Sequence, residues 1–138
     1  MAHQRASDVT VTFAERAFSL EEALLHSQWR LLTDYERGIL DRLLTVDFPG
    51  RDSVLAAVDD QVRQVDRCGC IEFKSGTEAT GEHTIVAEGS GPAAEQETPL
   101  EVMLTVRAGR PLWLEFHRYG GRNDFWPAAD AFEVRAFR

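Results

Sequence analysis

Long hydrophobic runs and cysteines are both scarce in this sequence, and each scarcity argues against a class of protein. No segment approaches the ~20 consecutive apolar residues that cross a bilayer, and the N-terminus lacks the apolar core of a signal peptide. We therefore expect a cytoplasmic protein without a membrane partner. The two cysteines, Cys68 and Cys70, stand two positions apart, which is poor geometry for a disulfide and unlike the cysteine framework of a secreted protein.

Familiar catalytic motifs are also missing from the sequence. It has no G-x-S-x-G segment to expose a nucleophilic serine, no C-x-x-C redox pair and no glycine-rich phosphate loop followed by a lysine. A zinc site needs three or four ligands, so Cys68 and Cys70 would have to be joined by His83 or His117. No cofactor is predicted, and a metal site built on these residues is kept as an alternative.

Negative charge is abundant and unevenly distributed. The 138 residues carry a net charge of −8, and residues 72–101 alone hold seven glutamates against one lysine, Lys74. A surface of this sign repels phosphate backbones and attracts basic proteins, which argues against nucleic acid and in favour of a basic protein partner. Solubility is the simpler explanation of the same charge, because net charge bears on solubility before it bears on partners.

Two capping boxes predict helices in the first half of the chain. Ser19 stands three residues before Glu22 and predicts a helix over 20–30, while Thr33 and Glu36 begin a second and stronger helix. Behind the second box, large apolar residues recur at steps of three and four, as in one face of a helix. These residues are Tyr35, Ile39, Leu40, Leu43, Leu44 and Val46.

The second helix is expected to end at Pro49 and Gly50. Proline removes an amide donor, and glycine accepts the backbone conformations found at a helix C-terminus. Phe48 is then predicted to be a buried plug at the corner. A shorter helix is predicted over 51–60, and a strand is predicted to follow it near Val62.

Alternating apolar residues predict a sheet built mostly from the second half of the chain. A three-residue turn over 107–109 would pair Leu104 with Leu112 and Val102 with Leu114, which keeps the apolar faces together, so it is preferred to a two-residue turn. The predicted strands cover 9–13, 70–73, 83–88, 100–106, 112–116 and 132–136, with a turn region over 75–81 and a flexible acidic loop over 89–99.

These elements predict the architecture. We expect a single α+β domain over 1–138, with two or three helices from the first half packed on a mostly antiparallel sheet. Residues 1–30 are interpreted as an added N-terminal strand and helix.

The face of the predicted hairpin that does not enter the core carries the candidate binding residues. Aromatic residues and arginines dominate interface hot spots, and they are concentrated on this face and in the loop that follows it. The predicted binding residues are Trp113, Glu115, His117, Tyr119, Arg122, Phe125 and Trp126, with Met103 and Thr105 opposite the first of them. The alternative is that the aromatic residues only pack against the core and the charged residues are only solvated or paired.

One stretch of the sequence resembles a known group of proteins. Residues 32–50 read L-T-x-x-E-R-x-x-L-D-x-L-L-x-x-D-F-P-G, and an R-C-G-C segment follows over 67–70. This pattern is similar to that of a group of small bacterial proteins with no assigned activity, and the 109–119 segment is similar to the closing hairpin of that group. The resemblance covers about half of the chain, implies a shared unit of fold and implies no catalytic residue.

The sequence as a whole favours a non-enzymatic protein-binding module. A concrete form is an acidic protein that masks a basic one, as toxin-neutralising immunity proteins do. The alternative is a small-ligand or metal-dependent enzyme that uses Cys68 and Cys70 with His83 or His117.

Overall fold

The largest unit of the described structure is one six-stranded antiparallel sheet. The computed structural model describes residues 10–13, 16–19, 28–57, 61–65, 69–91, 100–118 and 128–137. Its elements are β1 (Thr10–Phe13), β2 (Arg16–Ser19), α1 (Asp34–Leu43), α2 (Arg51–Leu55), β3 (Val62–Gln64), β4 (Ile71–Phe73), α3 (Lys74–Glu78), β5 (His83–Gly91), β6 (Leu100–Arg107), β7 (Arg110–Arg118), a 3₁₀ turn (Ala129–Ala131) and β8 (Glu133–Ala136).

The strand order in the large sheet is β3-β4-β7-β6-β5-β8, and neighbouring strands are antiparallel throughout. Strands β1 and β2 form a separate two-stranded antiparallel sheet. Helices α1 and α2 precede the large sheet in the chain, so the predicted α+β class with a mostly antiparallel sheet is confirmed.

Helix α1 begins as predicted, with a complete capping box. The Glu36 amide donates to the Thr33 hydroxyl at 3.1 Å, and the Thr33 amide donates to the Glu36 carboxylate at 2.9 Å. The Arg30 guanidinium donates two further bonds to the same carboxylate, at 2.7 and 2.8 Å. Burial by itself raises the pKa of Glu36, but the bonds from Arg30 and Thr33 and the charge of Arg30 outweigh it, so the pKa lies below its ordinary value.

The end of α1 differs from the prediction. The helix stops at Leu43, where hydrogen bonds of the 3₁₀ type tighten residues 44–46. Pro49 and Gly50 therefore do not end α1 but form the turn into α2, for which Gly50 is a left-handed N-cap with φ 84°. Phe48 is buried at 4% exposure, as predicted.

The inner face of the large sheet packs against α1 and α2. Burying Ile39, Leu40 and Leu43 of α1, at ~1.5–3 kcal/mol each, outweighs the cost of up to ~1 kcal/mol that Gly38 imposes on the helix. The core combines Ile39, Leu40, Leu43, Leu44 and Val54 from the helical segment with Val62, Ile71, Phe73, Leu100, Val102, Leu104, Leu114, Phe116 and Phe132 from the strands and their ends.

The β6–β7 hairpin has a different turn from the predicted one. Its loop is the two-residue turn Ala108-Gly109, in which both residues have positive φ (52° and 73°), and Leu104 pairs with Leu114 rather than with Leu112. The two-residue turn was rejected because a regular ladder would then mix the two faces. A bulge in which Leu112 is an extra residue of β7 restores the register, so that the apolar faces match after all.

A short helix occupies the predicted turn region over 75–81. Helix α3, Lys74–Glu78, lies directly on β7, and Gly76 makes this possible. A Cβ atom on Gly76 would stand 2.1 Å from the Pro111 carbonyl oxygen and 2.6 Å from the Leu112 Cα atom. The prediction missed α3 because a glycine inside a five-residue segment suggests a turn, whereas here it allows close backbone contact.

Other predictions were correct in type and differ in extent. Strands are confirmed within 9–13, 70–73, 83–88, 100–106, 112–116 and 132–136, and near Val62. Residues 89–91 continue β5 instead of belonging to the predicted loop. Residues 28–30 are not helical, because Arg30 forms an antiparallel β-bridge with Val62. The remainder of the predicted 20–30 helix and of the 89–99 loop lies outside the described residues.

None of the helices in the described part of the chain is both long and apolar enough to span a bilayer.

Candidate functional site

The outer face of the large sheet carries the residues that alternate with core positions. On β7, Leu114 and Phe116 are buried in the core, so Trp113, Glu115 and His117 project to the opposite side. The outer side chains are partly exposed, whereas the core ones are not. The structure thus brings together three of the predicted binding residues on one strand.

Strand β4 completes this part of the outer face. Its register places Glu72 opposite Trp113, and the residue before β4, Cys70, comes next to Glu115 along the same ladder. The side chain of Cys70 is therefore on the same side of the sheet as Glu115. On the other flank, the β6 residues opposite are Met103 and Thr105, as predicted.

A pocket of about 230 Å³ opens where β4 and β7 meet. Its size is below the ~300–1,000 Å³ of sites that take drug-sized ligands or cofactors. Apolar atoms form most of its wall, and a carboxylate and an imidazole supply the polar groups. The lining residues are Val65, Cys70, Ile71, Trp113, Glu115 and His117. The pocket has room for one amino-acid side chain or for a small molecule of similar size.

The polar groups of the pocket are close to each other. The Glu115 Oε2 and His117 Nε2 atoms are 3.4 Å apart, and the two side chains are 31% and 35% exposed. The contact is an ion pair only while the imidazole is protonated. With a neutral imidazole, no cation among the described residues offsets the Glu115 carboxylate.

Two other glutamates on the outer face have arginine partners. Arg63 contacts the Glu72 carboxylate through its Nε atom, and Arg135 donates to Glu88 at 3.0 Å. Glu115 differs from these two, because its described partner is a histidine. The glutamates that the register places on this face are Glu72, Glu88, Glu101, Glu115 and Glu133, which makes the face acidic.

One of these pairs also includes an aromatic ring. The Arg63 guanidinium carbon lies 4.4 Å from the centre of the Trp29 ring while its Nε contacts Glu72. The arginine is thus held by a cation–π contact and an ion pair together. Trp113 and Glu115 present the same two kinds of group at the pocket.

The cysteine in the pocket is packed into the backbone ladder. Cys70 is 5% exposed, its Sγ donates to the Phe116 carbonyl at 3.7 Å, and it accepts the Phe116 amide at 3.3 Å. His83 makes an edge contact with Trp113, at 4.7 Å between ring centres, and is not among the lining residues. Among the residues that the structure describes, no group of three His, Cys, Asp or Glu could hold a metal, and Cys68 lies outside them.

The predicted site is thus only partly described. Tyr119, Arg122, Phe125 and Trp126 lie outside the described residues. Sequence reasoning missed Val65 and Ile71 as lining residues, and it did not place Cys70 beside Glu115. The missing information is the pairing of β4 with β7, which joins segments more than 40 residues apart and leaves no local signal.

The chain matches no protein-family model, no curated protein and no solved structure. The geometry of the site is therefore the basis on which a function is assigned.

Proposed function

We propose that this protein is a non-enzymatic, cytoplasmic binding module whose outer sheet face binds a basic protein. The observation that carries the proposal is the pocket at β4 and β7, where the Glu115 carboxylate stands beside Trp113 and has no arginine partner among the described residues. A carboxylate and an aromatic ring at the mouth of a small pocket are suited to receive a cationic group from outside. A masking role like that of toxin-neutralising immunity proteins is the form we favour.

The charge of the surrounding face supports a basic partner. Glutamates elsewhere on the outer face, such as Glu101 and Glu133, are part of the net charge of −8 and make the potential of this face negative. Such a field accelerates association with a basic protein and repels the phosphates of nucleic acids. We therefore expect binding that weakens as salt is added.

Charge reversal on the outer face tests this proposal. One double variant, Glu101→Lys with Glu133→Lys, reverses two charges on the outer face. The control double variant, Asp47→Lys with Asp52→Lys, makes the same change in net charge on exposed residues of the helical segment. A partner would be captured from native lysate, identified by mass spectrometry and purified, and its affinity would be measured for both double variants. We expect the first to weaken binding roughly tenfold or more and the second to change it little.

Two results would contradict the proposal. One is that the purified partner has an acidic isoelectric point or binds equally well at about 1 M salt, where the Debye length is only ~3 Å. The other is that the two double variants weaken binding equally, because net charge rather than the outer face would then be responsible.

A small-ligand or metal-dependent enzyme is the second candidate, because Cys70 and His117 line the same pocket. A thiolate needs an activating base and an approach for the substrate, and Cys70 is 5% exposed and hydrogen-bonded to backbone. Thiol titration and metal analysis of untagged protein test this candidate. Slow reaction of Cys70 in the folded protein together with no stoichiometric metal would exclude it.

A further inference from the structure

The pocket between β4 and β7 is built for a cation with an apolar stem. Its charged group is Glu115, its ring is Trp113, and Val65 supplies aliphatic wall. We propose that it receives one arginine side chain of the basic protein partner, with the guanidinium between Trp113 and Glu115. This inference rests on the proposed function and identifies the group that the partner inserts.

The size of the pocket favours a single side chain. At about 230 Å³ it is smaller than typical cofactor sites, and one extended side chain would fill much of it. The stem of an arginine is apolar and packs well along aliphatic surface while its head remains with polar groups. Val65 is 41% exposed at the rim, so an entering stem would cover apolar surface that water now contacts.

The electrostatics of the pocket favour a positive charge. Glu72 and Glu88 each have an arginine of this chain, while the described partner of Glu115 is His117, a cation only when protonated. While the imidazole is neutral, a neutral or anionic occupant would leave the partly buried Glu115 carboxylate without a cationic partner among the described residues. A cation would compensate it and gain attraction from the electron-rich face of an adjacent tryptophan.

The structure already contains a contact of the proposed kind, in which an arginine meets a tryptophan and a glutamate. Arg63 lies over Trp29 at 4.4 Å and contacts Glu72, which is itself the cross-strand neighbour of Trp113. At the pocket a tryptophan and a glutamate are again close, separated by one residue on β7, and the arginine is the component not supplied by the described residues. Arginine is favoured over lysine because its planar guanidinium stacks on rings and binds carboxylates through two parallel bonds.

The occupant is expected to come from a protein rather than from a free metabolite. The pocket opens on the acidic outer face, where Glu101 is two residues from Met103 on β6 and continues the negative surface. A basic protein that inserts one arginine gains from this surrounding charge, whereas a small guanidinium compound contacts only the pocket.

Capped peptides provide the test. Acetyl-Lys-Arg-Lys-amide would be titrated into ¹⁵N-labelled protein, together with the same peptide carrying citrulline, which has the shape of arginine without its charge, and with free arginine. The arginine peptide should shift the NMR signals of the Trp113 indole and of the backbone amides of residues 69–71 and 115–117. The citrulline peptide and free arginine should bind at least roughly tenfold more weakly.

Glu115→Gln is the diagnostic variant and Glu133→Gln is its matched control. Both remove one negative charge from the outer face, but only the first alters the pocket. We expect Glu115→Gln to weaken binding of the arginine peptide about tenfold and Glu133→Gln to weaken it less than about twofold. Equal binding of the citrulline peptide, equal binding of free arginine, equal effects of the two variants or shifts confined to other residues would each overturn the inference.

The same two variants separate this inference from the proposed function. If the purified partner binds in a salt-dependent manner but is indifferent to Glu115→Gln, the pocket proposal is wrong while the basic-partner proposal stands. If the arginine peptide binds at the pocket while no basic partner exists, the proposed function is wrong and the chemistry of the pocket is retained.

Discussion

Replacing Gly76 by alanine tests how closely α3 lies on the strand that carries the pocket. The added Cβ would be 2.1 Å from the Pro111 carbonyl oxygen and 2.6 Å from the Leu112 Cα atom. Both are backbone atoms of β7, so no rotation of a side chain relieves the contact and α3 has to move. We expect a loss of about 3 kcal/mol, at the upper end of overpacking effects and a large part of the ~5–15 kcal/mol stability of a typical domain.

Gly38→Ala is the control for this prediction. Its Cβ would be 3.4 Å from the Ala129 Cβ atom, which is ordinary contact, and Gly38 is inside α1. Alanine should therefore stabilise the protein by up to ~1 kcal/mol through helix propensity.

Urea unfolding followed by circular dichroism measures both free energies if the slopes match. A Gly76→Ala protein within about 0.5 kcal/mol of wild type, the range of ordinary surface substitutions, would refute the close approach of α3 and β7. So would equal losses in the two variants.

Two further predictions concern the hairpin turn and the helix cap. Ala108→Asn should raise the free energy of unfolding by about 1 kcal/mol, because Ala108 has φ 52°, a conformation that costs alanine ~1–2 kcal/mol and that asparagine tolerates. A lower urea midpoint would contradict the two-residue turn. Glu36→Gln should cost about 2 kcal/mol at pH 7, because Arg30 and the Thr33 amide lose a charged acceptor. The folded pKa of Glu36 lies below its ordinary value of 4.5, so its stabilising contribution is complete above that pH and is lost as the pH falls through the folded pKa. Wild type and Glu36→Gln should differ at neutral pH and converge in acid, and curves that stay parallel would exclude this role.

The parts of the fold that were predictable depend on neighbours in the chain. The Thr33–Glu36 capping box and the apolar spacing of Ile39, Leu40 and Leu43 involve residues within one or two helical turns, and all of them are confirmed. Strands with clear alternation, such as β6, were likewise identified from local pattern.

The predictions that failed depended on hydrogen bonds and contacts that the spacing of residue types in the sequence does not reveal. The end of α1 was placed at Pro49, but local hydrogen bonding stops the helix at Leu43. The two-residue turn at Ala108-Gly109 is unfavourable for a regular ladder, and a single bulge at Leu112 makes the ladder irregular. Helix α3 was missed because Gly76 is required for close backbone contact with β7, a strand that lies far away in the sequence.

The candidate site shows the same division between local and distant determinants. From alternation alone, Trp113, Glu115 and His117 could be placed on one face of one strand. The absence of a catalytic motif and the excess of glutamate favoured a binding role over catalysis. Only the tertiary structure placed Cys70, Val65 and Ile71 against them and enclosed a pocket. The physical reason is that the faces of a strand follow from its two-residue period, whereas its neighbours depend on backbone hydrogen bonds between segments far apart in the chain, here Ile71 and Leu114.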